Sequence, residues 1–174
     1  MHQYKPIGLK NLHEDLNSKE DELLHRDLVK KSITVLKNEG DIIPIQELDK
    51  QKIAYVKIGD EDHTSFVNML KNYANVDVIS DVSSSALKPY SLVIIGYHTS
   101  NLNPWKGYKF DKDDIAKIQK IAKEKKVILN VFASPYSLLD FSSFEDIEGL
   151  VVSYQNSSIA QEISAQQLFG AIKA

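Results

Sequence analysis

Several groups of side chains in this sequence are of types that do chemistry. Asp60, Asp62 and His63 sit close together, and carboxylates with an imidazole are the donors a metal ion takes. His98 with Ser100 and Ser134 offers a base and two hydroxyls, the ingredients of an activated serine. Glu145 and Glu148 are two carboxyl groups three residues apart. Tyr97, Asn103, Trp105 and Tyr108 combine rings with an amide, a mixture that stacks on sugars or anchors a domain interface.

Each group has a plainer reading. Gly59 is followed by three acids, with neither a GxGxxG pattern nor a Lys-Ser/Thr pair, so this is not a phosphate loop. Asp60, Asp62 and His63 read as solvated residues capping a helix start. No GxSxG elbow is present, and a serine near a histidine in sequence does not make a triad. Glu145 and Glu148 lie in a polar stretch and read as surface charges. The lysines at 117, 120, 123, 125 and 126 read as the wet face of a helix. The reading therefore assigns no catalytic residue, no cofactor and no metal. It keeps Tyr97, His98 and Trp105 as contacts to a sugar or to a neighbouring domain.

The elements that would position these residues follow from hydrophobic periodicity. Residues 1–17, punctuated by Pro6 and Gly8, read as an irregular connector. Ser18 with Asp21 resembles a capping box and starts a helix to about Ser32, with Leu24, Leu28 and Val29 as its apolar stripe. Ile33 to Leu36 continue in extended form, Lys37 to Asp41 turn, and Pro44 prevents a new helix. Strands are predicted at 53–58, 76–79, 92–95, 127–132 and 150–154, alternating with helices near 62–74, 111–126 and 159–169. Leu92–Ile95 is the most apolar strand and is predicted to be central, and the more polar 76–79 is predicted to lie at an edge. Strands alternating with helices imply an α/β fold: a three-layer α/β/α sandwich around a mostly parallel five- or six-stranded sheet. The predicted order is flavodoxin-like, 2-1-3-4-5, with Ile33–Leu36 available as a sixth strand. Residues 1–32 are read as connector and helix, and 33–174 as the single sandwich domain.

Two stretches carry a family resemblance. Ser32 to Ile45, SITVLKNEGDIIPI, resembles the run that opens the second domain of glycoside hydrolase family 3 enzymes. Ser153 to Ile172, SYQNSSIAQEISAQQLFGAI, is similar to that family's Tyr-then-Gln/Asn-Ala-Gln-Leu-Phe-Gly-Ala-Ile helix. The resemblance implies an α/β/α second domain excised from a longer parent, with an N-terminal catalytic barrel as its missing partner. It also implies that the catalytic nucleophile lies in the barrel. No glutamate motif matches the acid/base that β-glucosidase-like members place in the second domain. The expected parent is thus a bacterial β-N-acetylhexosaminidase-like enzyme, in the periplasm or cell envelope, and the fragment alone is expected to be inactive.

Composition sets the outer bounds. The chain has 174 residues, enough for one sizeable core. A net charge of −3 gives it no general attraction to nucleic acid. It has no cysteine, and no apolar run approaches the roughly 18 residues of a bilayer span. The alternative to an accessory domain is a free-standing flavodoxin-like module holding a small molecule near Gly96 and Trp105.

Overall fold

In the structure, a computed structural model that describes residues 8–100 and 109–172, Ser18 begins the first long helix as its chemistry predicts. Its hydroxyl accepts from the Asp21 N–H at 3.1 Å and donates to the Asp21 carboxylate at 2.8 Å. Helix α2 (Lys19–Ser32) follows, with Glu20, Asp21 and Glu22 in the first turn, where the helix dipole favours negative charge. A short helix α1 (Leu12–Leu16) precedes it, where the sequence predicts irregular chain. Of the predicted stripe on α2, only Val29 enters the core. Leu24 and Leu28 are 56% and 57% exposed. The reason is positional: α2 packs on the last helix through the face carrying Arg26 and Val29, and Arg26 pairs with Glu162 at 3.0 Å.

After α2 the chain enters β1 (Thr34–Asn38), the first of six strands. The others are β2 (Ile53–Ile58), β3 (Val76–Ile79), β4 (Leu92–His98), β5 (Lys126–Phe132) and β6 (Gly149–Val152). The sheet order is β1-β6-β5-β4-β2-β3. Strands β2 to β6 are parallel and adopt the flavodoxin-like order, with polar β3 at one edge as predicted. β1 supplies the sixth strand, antiparallel to β6, with a register shift between Val35 and Lys37.

Helices cover both faces, which is why β4 is buried along its whole length. On one face lie α2, α3 (Thr64–Tyr73) and α6 (Ser158–Leu168), whose Val29, Phe66, Leu70 and Ile163 pack on Tyr55, Ile94, Ile128 and Phe132. On the other lie α4 (Ser84–Leu87) and α5 (Lys112–Glu124), whose Leu87, Ile118 and Ile121 meet Val56, Val93, Ile95 and Leu129. Burying each such side chain contributes about 2 kcal/mol before the entropy of ordering it is charged against it. Residue 170 is the glycine predicted to cap the last helix, and it takes a left-handed φ of 74°.

The turn after β1 is held by a side chain. Asn38 Oδ1 accepts from the Ile43 N–H at 2.8 Å, and its Nδ2 donates to the Ile43 carbonyl at 2.7 Å. This clamp folds Ile43 and Ile45 into the core, and the Ile45 N–H donates to the Leu168 carbonyl at 2.8 Å.

Candidate functional site

The residues singled out by type gather at the carboxyl ends of β2, β4, β5 and β6, the edge where open α/β sheets hold ligands. His98 is the end of β4 rather than a loop residue, and it is fully buried. Its ring stacks on Phe132 with centroids 4.4 Å apart. Its Nε2 lies 2.8 Å from the Tyr55 hydroxyl, and its Nδ1 lies 2.8 Å from Asn156 Oδ1.

Backbone groups fix the direction of every proton in this network. Gln161 Oε1 accepts from the Phe66 N–H at 3.0 Å, so its Nε2 is the donor that reaches the Asp62 carbonyl and Asn156 Oδ1, each at 2.8 Å. Asn156 Nδ2 also donates to the Asp62 carbonyl, at 2.9 Å. Asn156 therefore presents its oxygen to His98, which carries its proton on Nδ1 and accepts from Tyr55 at Nε2. Burial pushes the His98 pKa down to about 4, only partly opposed by the bond to Asn156, so the ring is neutral near pH 7. Burial also raises the Tyr55 hydroxyl, with the Asp62 charge adding to the effect. Two glycines make room for the network. A Cβ on Gly96 would lie 2.4 Å from His98 Nε2 and 2.6 Å from the Tyr55 hydroxyl, and one on Gly59 would lie 2.1 Å from the His98 carbonyl oxygen.

The hydrogen bonds already made by these residues bear on each candidate chemistry in turn. Both nitrogens of His98 are engaged, so it activates neither Ser100 nor Ser134. Asp62 spends its carboxylate on Thr64, accepting from the hydroxyl at 2.6 Å and the N–H at 3.2 Å, and these bonds lower its pKa. Among the described residues no group of three His, Asp or Glu side chains is placed to hold a metal ion. Glu145 is exposed, as expected, but Glu148 is not simply a surface charge. Its Oε2 accepts from the Val127 N–H at 2.7 Å, at the opposite end of the sheet from His98. The two glutamates frame no cleft with the residues at the strand ends.

Tyr97 points to the other face of the sheet from His98 and is 4% exposed, its ring stacked on Phe110 at 3.6 Å. It lines a cleft of about 580 Å³ where β2, β3 and β4 end against the start of α5. Burial first, then the carboxylates of Asp114, Asp60 and Asp111, push its pKa up to about 12. Trp105, with Asn103 and Tyr108, lies outside the described residues. Sequence reasoning missed Tyr55, Asn156 and Gln161. The available signals were a tyrosine inside an apolar strand and a glutamine on the inner face of α6.

No family model matches the chain, and no curated protein matches it in sequence. Solved structures do. A fungal multi-domain family 3 β-N-acetylglucosaminidase superposes on 97% of this chain with a TM-score of 0.72 and 20% identity, and the chain covers 19% of that protein. A Paenibacillus family 3 β-N-acetylglucosaminidase matches 91% of the chain at TM-score 0.64 and 20% identity, with 32% of its own length covered. A Listeria innocua β-glucosidase matches 95% at TM-score 0.67 and 18% identity, with 28% covered. The chain has the fold of the C-terminal domain of glycoside hydrolase family 3 enzymes. The chain spans only about a fifth to a third of these enzymes.

Proposed function

We propose that this chain is the non-catalytic C-terminal domain of a family 3 glycoside hydrolase, and that a catalytic barrel in the same parent is its partner. The observation that carries the reading is the asymmetry of the structural match: nearly all of this chain against 19–32% of each enzyme. A second feature supports it. Leu16, Leu24, Leu28 and Leu36 are all more than half exposed, on α1, α2 and β1, the elements nearest the point where a preceding domain would join. Exposed apolar stripes of this kind mark surfaces that another body covers.

The parent is a bacterial β-N-acetylglucosaminidase or β-glucosidase acting in carbohydrate metabolism, and the missing glutamate motif favours the first. In this reading the buried Tyr55–His98–Asn156–Gln161 network ties the loop after β2 to the loop after β6, stiffening the rim that meets the barrel. The test is hydrolysis of chromogenic β-N-acetylglucosaminide and β-glucoside by the chain alone and after addition of the barrel. The reading requires no turnover alone and recovery on addition. Turnover by the chain alone that a single substitution abolishes, such as Glu148→Gln or His98→Ala, would place an active site here and overturn it.

A further inference from the structure

A second set of polar side chains is buried between α6 and the sheet. Asn130, on β5, is paired in register with Gly96 on β4 and Val151 on β6. Its Nδ2 donates to Ser153 Oγ at 2.9 Å, Ser153 Oγ lies 2.6 Å from Ser164 Oγ, and Ser164 donates to the Ala160 carbonyl at 2.7 Å. Asn130, Ser153 and Ser164 are each 0% exposed. These bonds run in one direction, because a serine has a single hydroxyl proton. Ser164 spends its proton on Ala160, so it accepts from Ser153, and Ser153 in turn accepts from the Asn130 amide. Turning that amide over would forfeit a bond, so its oxygen faces away from Ser153.

Asn130 Oδ1 has no hydrogen-bond partner among the described residues. Gln167 Oε1 is also unpartnered, but no hydrogen bond fixes which way that amide faces. An unmatched buried carbonyl costs stability, and native interiors match nearly all of them. The neighbouring hydroxyl protons are already committed: those of both serines to the bonds just described, and that of Tyr55 to His98 Nε2. The Tyr55 oxygen keeps a lone pair. It lies over Gly96, the residue beside Asn130 in the sheet, 2.6 Å from the place a Cβ would take. Side chains in this row are small. Gly96 and Asn130 follow Ile94 and Ile128 on the same face, and α6 lies over them with Ala160 and Ser164. Neutral oxygens supply no charge to balance a metal ion, so the group that suits them is small, neutral and has two protons to give.

We infer that a single ordered water is bound beneath α6, donating one hydrogen bond to Asn130 Oδ1 and the other to the Tyr55 hydroxyl oxygen. It joins two side-chain networks, Tyr55–His98–Asn156–Gln161 and Asn130–Ser153–Ser164, into one. Strands β2, β4 and β5 are then tied to α6 through a continuous set of bonds. The site belongs to the sandwich alone and does not depend on the accessory-domain reading above.

The experiment is a crystal structure of the 174-residue chain at a resolution that shows ordered water, with oxygen-17 relaxation dispersion of water on the same chain in solution. The relaxation measurement reads only waters held long enough to tumble with the protein, and exchange of hydroxyl protons does not enter it. Density for a water should stand about 2.8 Å from both Asn130 Oδ1 and the Tyr55 oxygen. Asn130→Leu replaces the amide by an apolar group of the same branching and should lower the dispersion amplitude by the contribution of one water. Should that variant fail to fold, the crystal structure of the unchanged chain decides alone. No water at Asn130 Oδ1, a water there that does not reach Tyr55, or an amplitude that Asn130→Leu leaves unchanged overturns the inference. None of these outcomes touches recovery of activity with the barrel, so the two readings fail separately.

Discussion

The Tyr55 hydroxyl donates to His98 Nε2 across 2.8 Å, inside a space that exists because residue 96 has no side chain. Both partners are buried and each is stacked on another ring, so neither has bulk water to fall back on. Gly96→Ala should therefore separate the pair and leave two buried polar groups unmatched. We expect a loss of about 3 kcal/mol in chemical denaturation, from overpacking and the broken bond together. A loss below about 0.5 kcal/mol, the level of an ordinary surface change, would show that the pair contributes nothing to stability.

The same histidine makes the domain sensitive to acid. Its folded pKa of about 4 lies below its unfolded value near 6.5, so the unfolded chain binds the proton more readily between those values. The His98 contribution is complete above about pH 6.5 and is lost as pH falls toward 4, amounting to about 3 kcal/mol at most. His63, stacked on Tyr55, is also lowered, chiefly by burial, so the comparison must be between variants. Denaturation midpoints across this window should fall steeply for the parent chain and less steeply for His98→Gln. Parallel curves would remove His98 as the cause.

Asn38 holds the main chain of Ile43 in both directions, as donor and as acceptor. Asn38→Ala should cost about 2 kcal/mol, and Asn38→Asp should cost a similar amount because one of the two bonds loses its donor. If Asn38→Asp were as stable as the parent, the clamp would rest on one bond rather than two.

Leu24 and Leu28 separate stability from assembly. Both are more than half exposed, so the double change to serine should alter the stability of this chain by less than about 0.5 kcal/mol. Binding to the separate barrel, measured by calorimetry or by recovered hydrolysis, should weaken at least about tenfold, as for a cluster of interface anchors. Unchanged barrel binding would move the interface away from α2.

The sequence made some features legible and hid others for physical reasons. Alternation of apolar strands with helices was enough to predict the layers and the parallel order, because each strand had to be covered on both faces. The cap at Ser18 was legible because it is local. His98 was not: Gly96 looks like the end of a strand, whereas here it is the gap that lets the strand carry a histidine beneath α3 and α6. Glu148 looked solvated because its partner is the main chain of Val127, which no side-chain pattern reveals. Leu24 and Leu28 fit a helical stripe, but periodicity does not say whether the body it faces lies within the same chain.

The pairing of β1 with β6 has a consequence for synthesis. Thr34 finds its partner in Val152, and Ile45 finds its own in Leu168, at the far end of the chain. A ribosome delivers β1 long before the strand and helix that hold it, so α2 and β1 wait, with their apolar groups uncovered, until the last helix emerges. Contacts this distant in sequence slow folding and lengthen exposure. The domain is thus completed by its last segment, and a nascent chain stopped before Ser158 would leave its first strand and the Ile43–Ile45 segment without a place to settle.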